Sequence, residues 1–292
     1  MAEICNCSNT MEGSVFQKVA YIPVFTAGLL LNGFAVYIFL RGRSGWTETH
    51  VYTFSLAVAN CALLLFLPVR TYDAFRRLAP DTFCTFLVST HYLNMYVSIF
   101  TRTAISVHRC VAVNFPMRRR AWGLQKPVAG AVCALIWAVA VALSAAFNWN
   151  SAGSLNCCYE RKWEPLRNGL FELLVVVGFF IPLGVITACT VRTVFCVLRC
   201  SRATGVVSIM TVNLVVFATC YSPIHWAFFL KFRATSCSSL VYSFYHVSEW
   251  MATTNCCWDA LAYYFLFKKF FVSHNQKRGA VTVAGGDAST RF

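Results

Sequence analysis

Two side chains carry full charges in the middle of apolar stretches of this sequence, Arg102 and Asp259. An ion at that depth in hydrocarbon needs a partner, because a desolvated charge without one costs several kcal/mol. Arg102 precedes Arg109 by seven residues, two helical turns, which sets it about 10 Å deeper on the same face. Asp259 stands about eight residues, roughly 12 Å, from the inner end of its stretch, and Asn60 about nine residues from the start of another. The three therefore share one layer, joined by Asn32. Arg102 is expected to pair with Asp259; the alternative is an Arg102 that reaches toward the inner water layer and meets only backbone carbonyls.

A second group of polar residues falls at the opposite ends of the same stretches. Arg70 is ten residues beyond Asn60, Lys231 eight beyond Pro223, and Glu249 ten before Asp259. His91, Tyr92 and Met95 follow two to three turns after Cys84, and Arg161, Lys162 and Arg167 fall in a loop with Glu160 and Glu164. A guanidinium fork binds carboxylate or phosphate in two-pronged fashion, so the basic excess points to a small anionic ligand. Tyr92, Tyr221, Trp226 and Trp250 are candidates to stack on an aromatic ring. The plainer reading of Arg161, Lys162 and Arg167 is solvated loop charge, and of the aromatics, packing.

These residues need a scaffold that composition already restricts. Of 292 residues 58% are hydrophobic and only 12% charged, against about 25% charged in soluble domains. A soluble globule and a disordered chain are both excluded. The net charge of +14 has no basic element paired with a soluble core, so it belongs to a membrane boundary and not to nucleic acid. Seven stretches reach the roughly 20 apolar residues that cross a bilayer: Val19–Leu40, Val51–Val69, Cys84–Val113, Pro127–Trp149, Gly169–Val191, Gly205–Leu230 and Val241–Phe267. The third, fifth and seventh require charges inside them to be tolerated. With the first residue outside, 15 Lys and Arg fall on the inner side and nine on the outer, with Arg102 in the bilayer. The glycosylation sequon at Asn6 agrees with an extracellular N-terminus.

The expected fold is all-α, a seven-transmembrane helix bundle with a short amphipathic eighth helix at Phe267 to Phe271. Residues 1–18 form an extracellular N-terminus, 19–271 the membrane domain and 272–292 a cytoplasmic tail. Residues 1–17 hold Glu3 and Glu12 and no apolar run, so the first span is expected to serve as signal anchor. Thr290-Arg291-Phe292 fits a peptide that adds a strand to a PDZ domain. No aspartyl pair, Ser-His dyad or metal triad falls at membrane depth, and no zinc spacing appears, so neither an enzyme nor a cofactor is expected. Broken helices or paired half-repeats of a transporter are likewise not visible.

The ordered motifs narrow the class. They are Leu31-Asn32-Gly33, Leu56-Ala57-Val58-Ala59-Asn60, Cys84, His108-Arg109-Cys110, Trp137, Pro182, Cys220-Tyr221-Ser222-Pro223, and Asp259 with Tyr263 four residues on. In this order the chain resembles the rhodopsin-like G-protein-coupled receptors over nearly its whole length. Trp46-Thr47-Glu48-Thr49 and Asn255-Cys256-Cys257-Trp258-Asp259-Ala260 are similar to its lysophospholipid and purine-type branch. The resemblance implies a plasma-membrane receptor passing the arrival of an aromatic carboxylic acid or lysophospholipid to a heterotrimeric G protein. It implies a disulfide from Cys84 to the second outside loop, at Cys158, which Tyr159 follows, or at Cys157. A second bridge, from Cys5 or Cys7 to Cys237, would tie the N-terminus to the third outside loop.

Three departures from the family pattern stand out. The layer that usually holds sodium on an acid of the second span has Asn60 there, so Arg102 is expected to supply the positive charge itself. Arg109 is flanked by His108 and Cys110, not by an acid and a tyrosine, which predicts a weak inactive-state lock and raised basal activity. His108, Arg109, Tyr221, Pro223 and Tyr263 are the candidate switch residues. Arg199 to Thr204 is all that remains for the third inside loop, which leaves open a receptor that binds ligand but couples weakly, as a scaffold or decoy.

Overall fold

The computed structural model describes residues 11–41, 46–76, 78–79, 81–115, 126–149, 155–161, 168–200, 205–233 and 238–260. Helices α1 (Met11–Arg41), α2 (Glu48–Phe75), α3 (Thr82–Asn114) and α4 (Lys126–Trp149) are followed by a ribbon of β1 (Leu155–Cys157) against β2 (Glu160–Arg161). Next come α5, running from Asn168 to Cys200 through a π turn at Val176–Phe180, then α6 (Gly205–Arg233) and α7 (239–260). The bundle is all-α apart from that ribbon. Asn6, Cys5, Cys7, Arg167, Cys237, Tyr263, the eighth helix at 267–271 and the C-terminal tripeptide lie outside the described residues.

Five helices are long and apolar enough to cross a membrane among the described residues: α1, α2, α4, α5 and α6. Glu172 does not disqualify α5. The two others, α3 with buried His91 and Arg102 and half-buried His108 and Arg109, and α7 with buried His246, Glu249 and Asp259, carry ionisable groups within their spans. The outer faces are apolar. Leu30, Leu65, Leu135, Phe195, Leu198 and Val212 are all exposed, and a contiguous apolar surface of this kind belongs against lipid.

Local chemistry fixes where α2 and α3 begin. The Thr47 amide donates to His50 Nδ1 at 2.9 Å, occupying a donor the first turn of α2 cannot satisfy. Asp81 caps α3 by accepting from the Cys84 amide at 2.8 Å. That cap sets Cys84 in the first turn, where it is bonded to Cys158. The Cys158 amide also donates to the Leu78 carbonyl at 3.4 Å, so the ribbon is tied to the start of α3 twice. The disulfide marks one end of the bundle and Arg109 the opposite end.

The α3 helix is central, packed against α2, α4, α5 and α6. Its contact with α5 depends on the π turn. Pro182 lacks an amide hydrogen, so the Gly178 carbonyl cannot receive its usual bond, and the chain takes an extra residue, with Ile181 donating back to Val176. The turn carries Phe179 inward, where it stacks on His225 at 4.4 Å between centroids. It also brings Gly178 against the Tyr96 ring, 2.6 Å from where a methyl would stand. Gly28 does the same for α1, with Leu64 at 2.8 Å. Between α5 and α6 only residues 201–204 intervene, in accord with the short connection read from the sequence.

Gly178→Ala should cost about 1–3 kcal/mol, because the buried Tyr96 ring must shift to admit a methyl. Gly184→Ala, two residues beyond Pro182 with open space at its Cβ, should not. The melting temperature in detergent falls for the first and holds for the second.

Candidate functional site

At mid-depth a polar network joins five helices. Arg102 on α3 forms an ion pair through Nη2 with Asp259 Oδ1 on α7. The same nitrogen donates to Asn255 Oδ1 at 2.6 Å, and Nη1 donates to Asn213 Oδ1 of α6 at 2.9 Å. The other carboxylate oxygen accepts from Asn255 Nδ2 at 2.9 Å and Asn60 Nδ2 at 3.1 Å. Asn60 on α2 also donates to Asn32 Oδ1 at 3.2 Å and accepts from Asn94 at 3.0 Å. Asn32 in turn donates to the Gly28 and Cys256 carbonyls at 2.9 and 3.0 Å. Arg102 is thus paired and does not turn to the inner water layer.

The four residues read from the sequence are together here, but half the network was not foreseen. Asn213, Asn94 and Ser106, which accepts from Asn213 at 2.9 Å, were missed. Asn255 was noted only as part of a motif, although its position four residues before Asp259 places it on the same helix face. The signal for the others was available: an amide inside an apolar helix needs a buried partner.

Toward the disulfide end a second charged cluster surrounds Arg70, which is 4% exposed. Its Nη2 donates to Glu249 at 2.5 Å. Glu249 is also approached by His91 Nε2 at 3.7 Å and His246 Nδ1 at 3.8 Å, and His246 meets Gln17 at 2.7 Å. The faces of the guanidinium are covered by Tyr21 and Tyr159, with centroids 4.6 and 4.8 Å away. Among the described residues its Nε and Nη1 have no hydrogen-bond acceptor. Tyr159 follows the disulfide directly and takes φ 65°, a left-handed conformation costly for a bulky residue. Burial raises the Tyr159 hydroxyl above its ordinary range, so it remains neutral.

Lys231, also buried, lies 4.0 Å from the centroid of Tyr245, whose hydroxyl is 3.0 Å from that of Tyr92. Met95 is buried one turn deeper. Arg70, His91, Tyr92, Lys231 and Glu249 are thereby brought into one layer, with Glu249 acting as a counter-ion as well as a candidate contact. Trp226 is a correction: it is 56% exposed and edge-on to Phe229 on the lipid-facing surface, so it stacks on no ligand. Trp250 donates to the Ala20 carbonyl at 2.8 Å and packs on Phe16, which binds α7 to α1. Tyr221 is buried against Phe217 in the core. Arg161 is placed by its backbone in β2, its side chain lying outside the described set. Among the described residues no three His, Cys, Asp or Glu side chains are grouped to hold a metal ion.

At the opposite end, His108 lies edge-on to Tyr52 at 6.1 Å. Among the described residues no carboxylate stands within 4.0 Å of Arg109. Arg192 of α5 covers Phe115 at 4.9 Å and closes the ends of α3 and α5 together.

A bundle of seven helices joined through two buried ion pairs, with α3 pinned by a disulfide to the loop after α4, is the architecture of a seven-helix membrane protein. Residues 31–263 match the family of seven-transmembrane receptors of the rhodopsin type, and the chain belongs to it. It is 31% identical over 279 residues to the human G-protein coupled receptor 35 (Homo sapiens), covering 91% of this chain and 87% of that protein. It is also 31% identical over 292 residues to lysophosphatidic acid receptor 6 of Gallus gallus, covering 89% and 93%. Cysteinyl leukotriene receptor 2 of Sus scrofa is 28% identical, covering 91% and 82%. The chain is accordingly a multi-pass plasma-membrane receptor and not an enzyme.

Glu249→Gln would leave Arg70 buried with an uncompensated charge, at a cost of about 3–5 kcal/mol. The double variant Arg70→Gln, Glu249→Gln should recover most of it. Thermal melting of the purified receptor and its cell-surface level measure both.

Proposed function

We propose that this receptor transduces a small anionic ligand, an aromatic carboxylic acid or a lysophospholipid, to an intracellular G protein, with its N-terminus outside the cell. The observation that carries the reading is Arg70, a buried guanidinium with one nitrogen on Glu249 and two without acceptors. A cation so placed gains from an incoming carboxylate or phosphate without further rearrangement of its own side chain. Lys231 adds a second positive charge in the same layer. The name of the lysophosphatidic acid relative supports a phosphate head bearing an acyl chain.

Coupling requires the Arg109 end to open by displacement of α6, a two-state change that a ligand biases by preferring one state. Among the described residues Arg109 has no acid to hold it, and His108 in the neighbouring position cannot be an anion. Basal signalling above that of relatives with an acid there follows. The second reading, a receptor that binds but couples weakly, is favoured by one feature. Only residues 201–204 connect α5 to α6, which restricts how far the two ends can separate.

G-protein activation in cells, measured with a panel of aromatic carboxylates and lysophospholipids, tests both readings. Activation by an anionic member, reduced at least about tenfold in Arg70→Lys, supports the first. Arg70-dependent binding without activation supports the second. His108→Asp should lower basal activation, and an unchanged level would remove the argument for a weak lock.

A further inference from the structure

The β1–β2 ribbon turns back within two residues. Cys157 pairs with Glu160, so Cys158 and Tyr159 alone make the connection. Of these two only Tyr159 has a positive φ, 65°. A positive φ at the second position of such a turn suits glycine or asparagine, and a bulky side chain there loads the backbone. Cys158 cannot drift to relieve it, being bonded to Cys84 and donating its amide to the Leu78 carbonyl at 3.4 Å. The strained conformation is therefore offset by what the ring touches. Its centroid lies 4.8 Å from the Arg70 guanidinium carbon, within cation–π range.

The same ring closes the space beside Arg70. The cleft there is walled by α2 and α3, and Tyr159 is the one lining residue that comes from neither helix. It holds about 10 Å³, room for roughly one water molecule. A carboxylate or phosphate group is larger. Arg70 nonetheless keeps Nε and Nη1 without an acceptor among the described residues, at 4% exposure. Donors suited to an anion are in place, and the room for one is shut off by an aromatic ring.

We propose that Tyr159 is a loaded latch on the Arg70 site: its ring occupies one guanidinium face, and an anion reaches the free donors only when the turn lets go. The inference rests on the anionic-ligand reading above and adds the residue that sets the threshold for binding. Attraction to Arg70 holds the latch shut, and the left-handed backbone favours release. An anion that neutralises Arg70 weakens that attraction, so binding and release reinforce each other.

The test uses the full receptor in phosphatidylcholine nanodiscs, with Thr90→Cys placing a thiol in the cleft wall. Leu87→Cys gives a second reporter on the same wall. Treated with 2-sulfonatoethyl methanethiosulfonate, the thiol forms a mixed disulfide and releases methanesulfinate, and peptide mass spectrometry follows the rate. Tyr159→Gly, which suits the turn but has no ring, should speed the reaction at least about tenfold. Tyr159→Phe keeps a ring on Arg70 and should stay within about twofold of the parent. An unchanged rate in Tyr159→Gly, or an equally fast Tyr159→Phe, would overturn the latch. The load is read separately: Tyr159→Gly should melt above Tyr159→Ala, because only alanine retains the strained turn. The reverse order would also overturn it. Thermal shifts with benzoate and with lysophosphatidic acid separate the two readings. A shift that is lost in Arg70→Lys and half-saturates at a concentration at least about tenfold lower in Tyr159→Gly supports both. An Arg70-dependent shift that is equal with and without the Tyr159 ring ends the latch and leaves the anionic-ligand reading. A thiol opened by Tyr159→Gly, with no shift from either anion, leaves the latch and ends that reading.

Discussion

The structure is governed by the ion pair between Arg102 and Asp259. In hydrocarbon neither group has water to fall back on, so the helices that carry them must meet, and nearby amide side chains must take up their further hydrogen bonds. Asn213, Asn255, Asn60, Asn32 and Asn94 do this, each on a different turn of a different helix or one turn from the acid. The result is a specification of register as much as of stability. A buried charge pair can often be exchanged for apolar residues at little cost, yet half of one cannot be removed. Rotation of α3 or α7 by one residue would unpair several groups at once.

The same logic, repeated nearer the disulfide end, has a different outcome. Arg70 receives a carboxylate at one nitrogen and two aromatic faces, and among the described residues its Nε and Nη1 have no acceptor. The inner guanidinium has acceptors at both terminal nitrogens, the outer at one. At the Arg109 end His108 lies edge-on to Tyr52, and among the described residues no carboxylate meets Arg109. A ligand that alters the outer cluster acts on α2, α3 and α7, the helices that also carry Asn60, Arg102 and Asp259.

Much of this was legible in the sequence because membrane helices announce themselves. The spans, the shared depth of Arg102, Asp259 and Asn60, and the cysteine at the start of α3 follow from run lengths and from 1.5 Å per residue. Cys158 over Cys157 was left open there, since adjacent cysteines share the same reach; the Leu78 contact and the fold of the ribbon decide it. Other features depend on helix rotation, which run length does not encode. Trp226 and Tyr221, five residues apart on α6, look equally suitable for a ligand, yet one faces lipid and the other the core. The π turn before Pro182 shifts the rotation of α5 in a way that no regular periodicity anticipates. The pairing of Arg70 with Glu249 was missed for a simpler reason: each was read as a contact for a ligand, not for the other.

A double-mutant cycle on Arg102 and Asp259, read by equilibrium stability of the receptor in nanodiscs, tests the account most directly. Arg102→Ala and Asp259→Ala should each cost about 3–5 kcal/mol, and the double variant should cost far less than their sum, leaving a coupling above about 2 kcal/mol. Additive costs, agreeing within about 0.5 kcal/mol, would mean that the two side chains do not hold the bundle together.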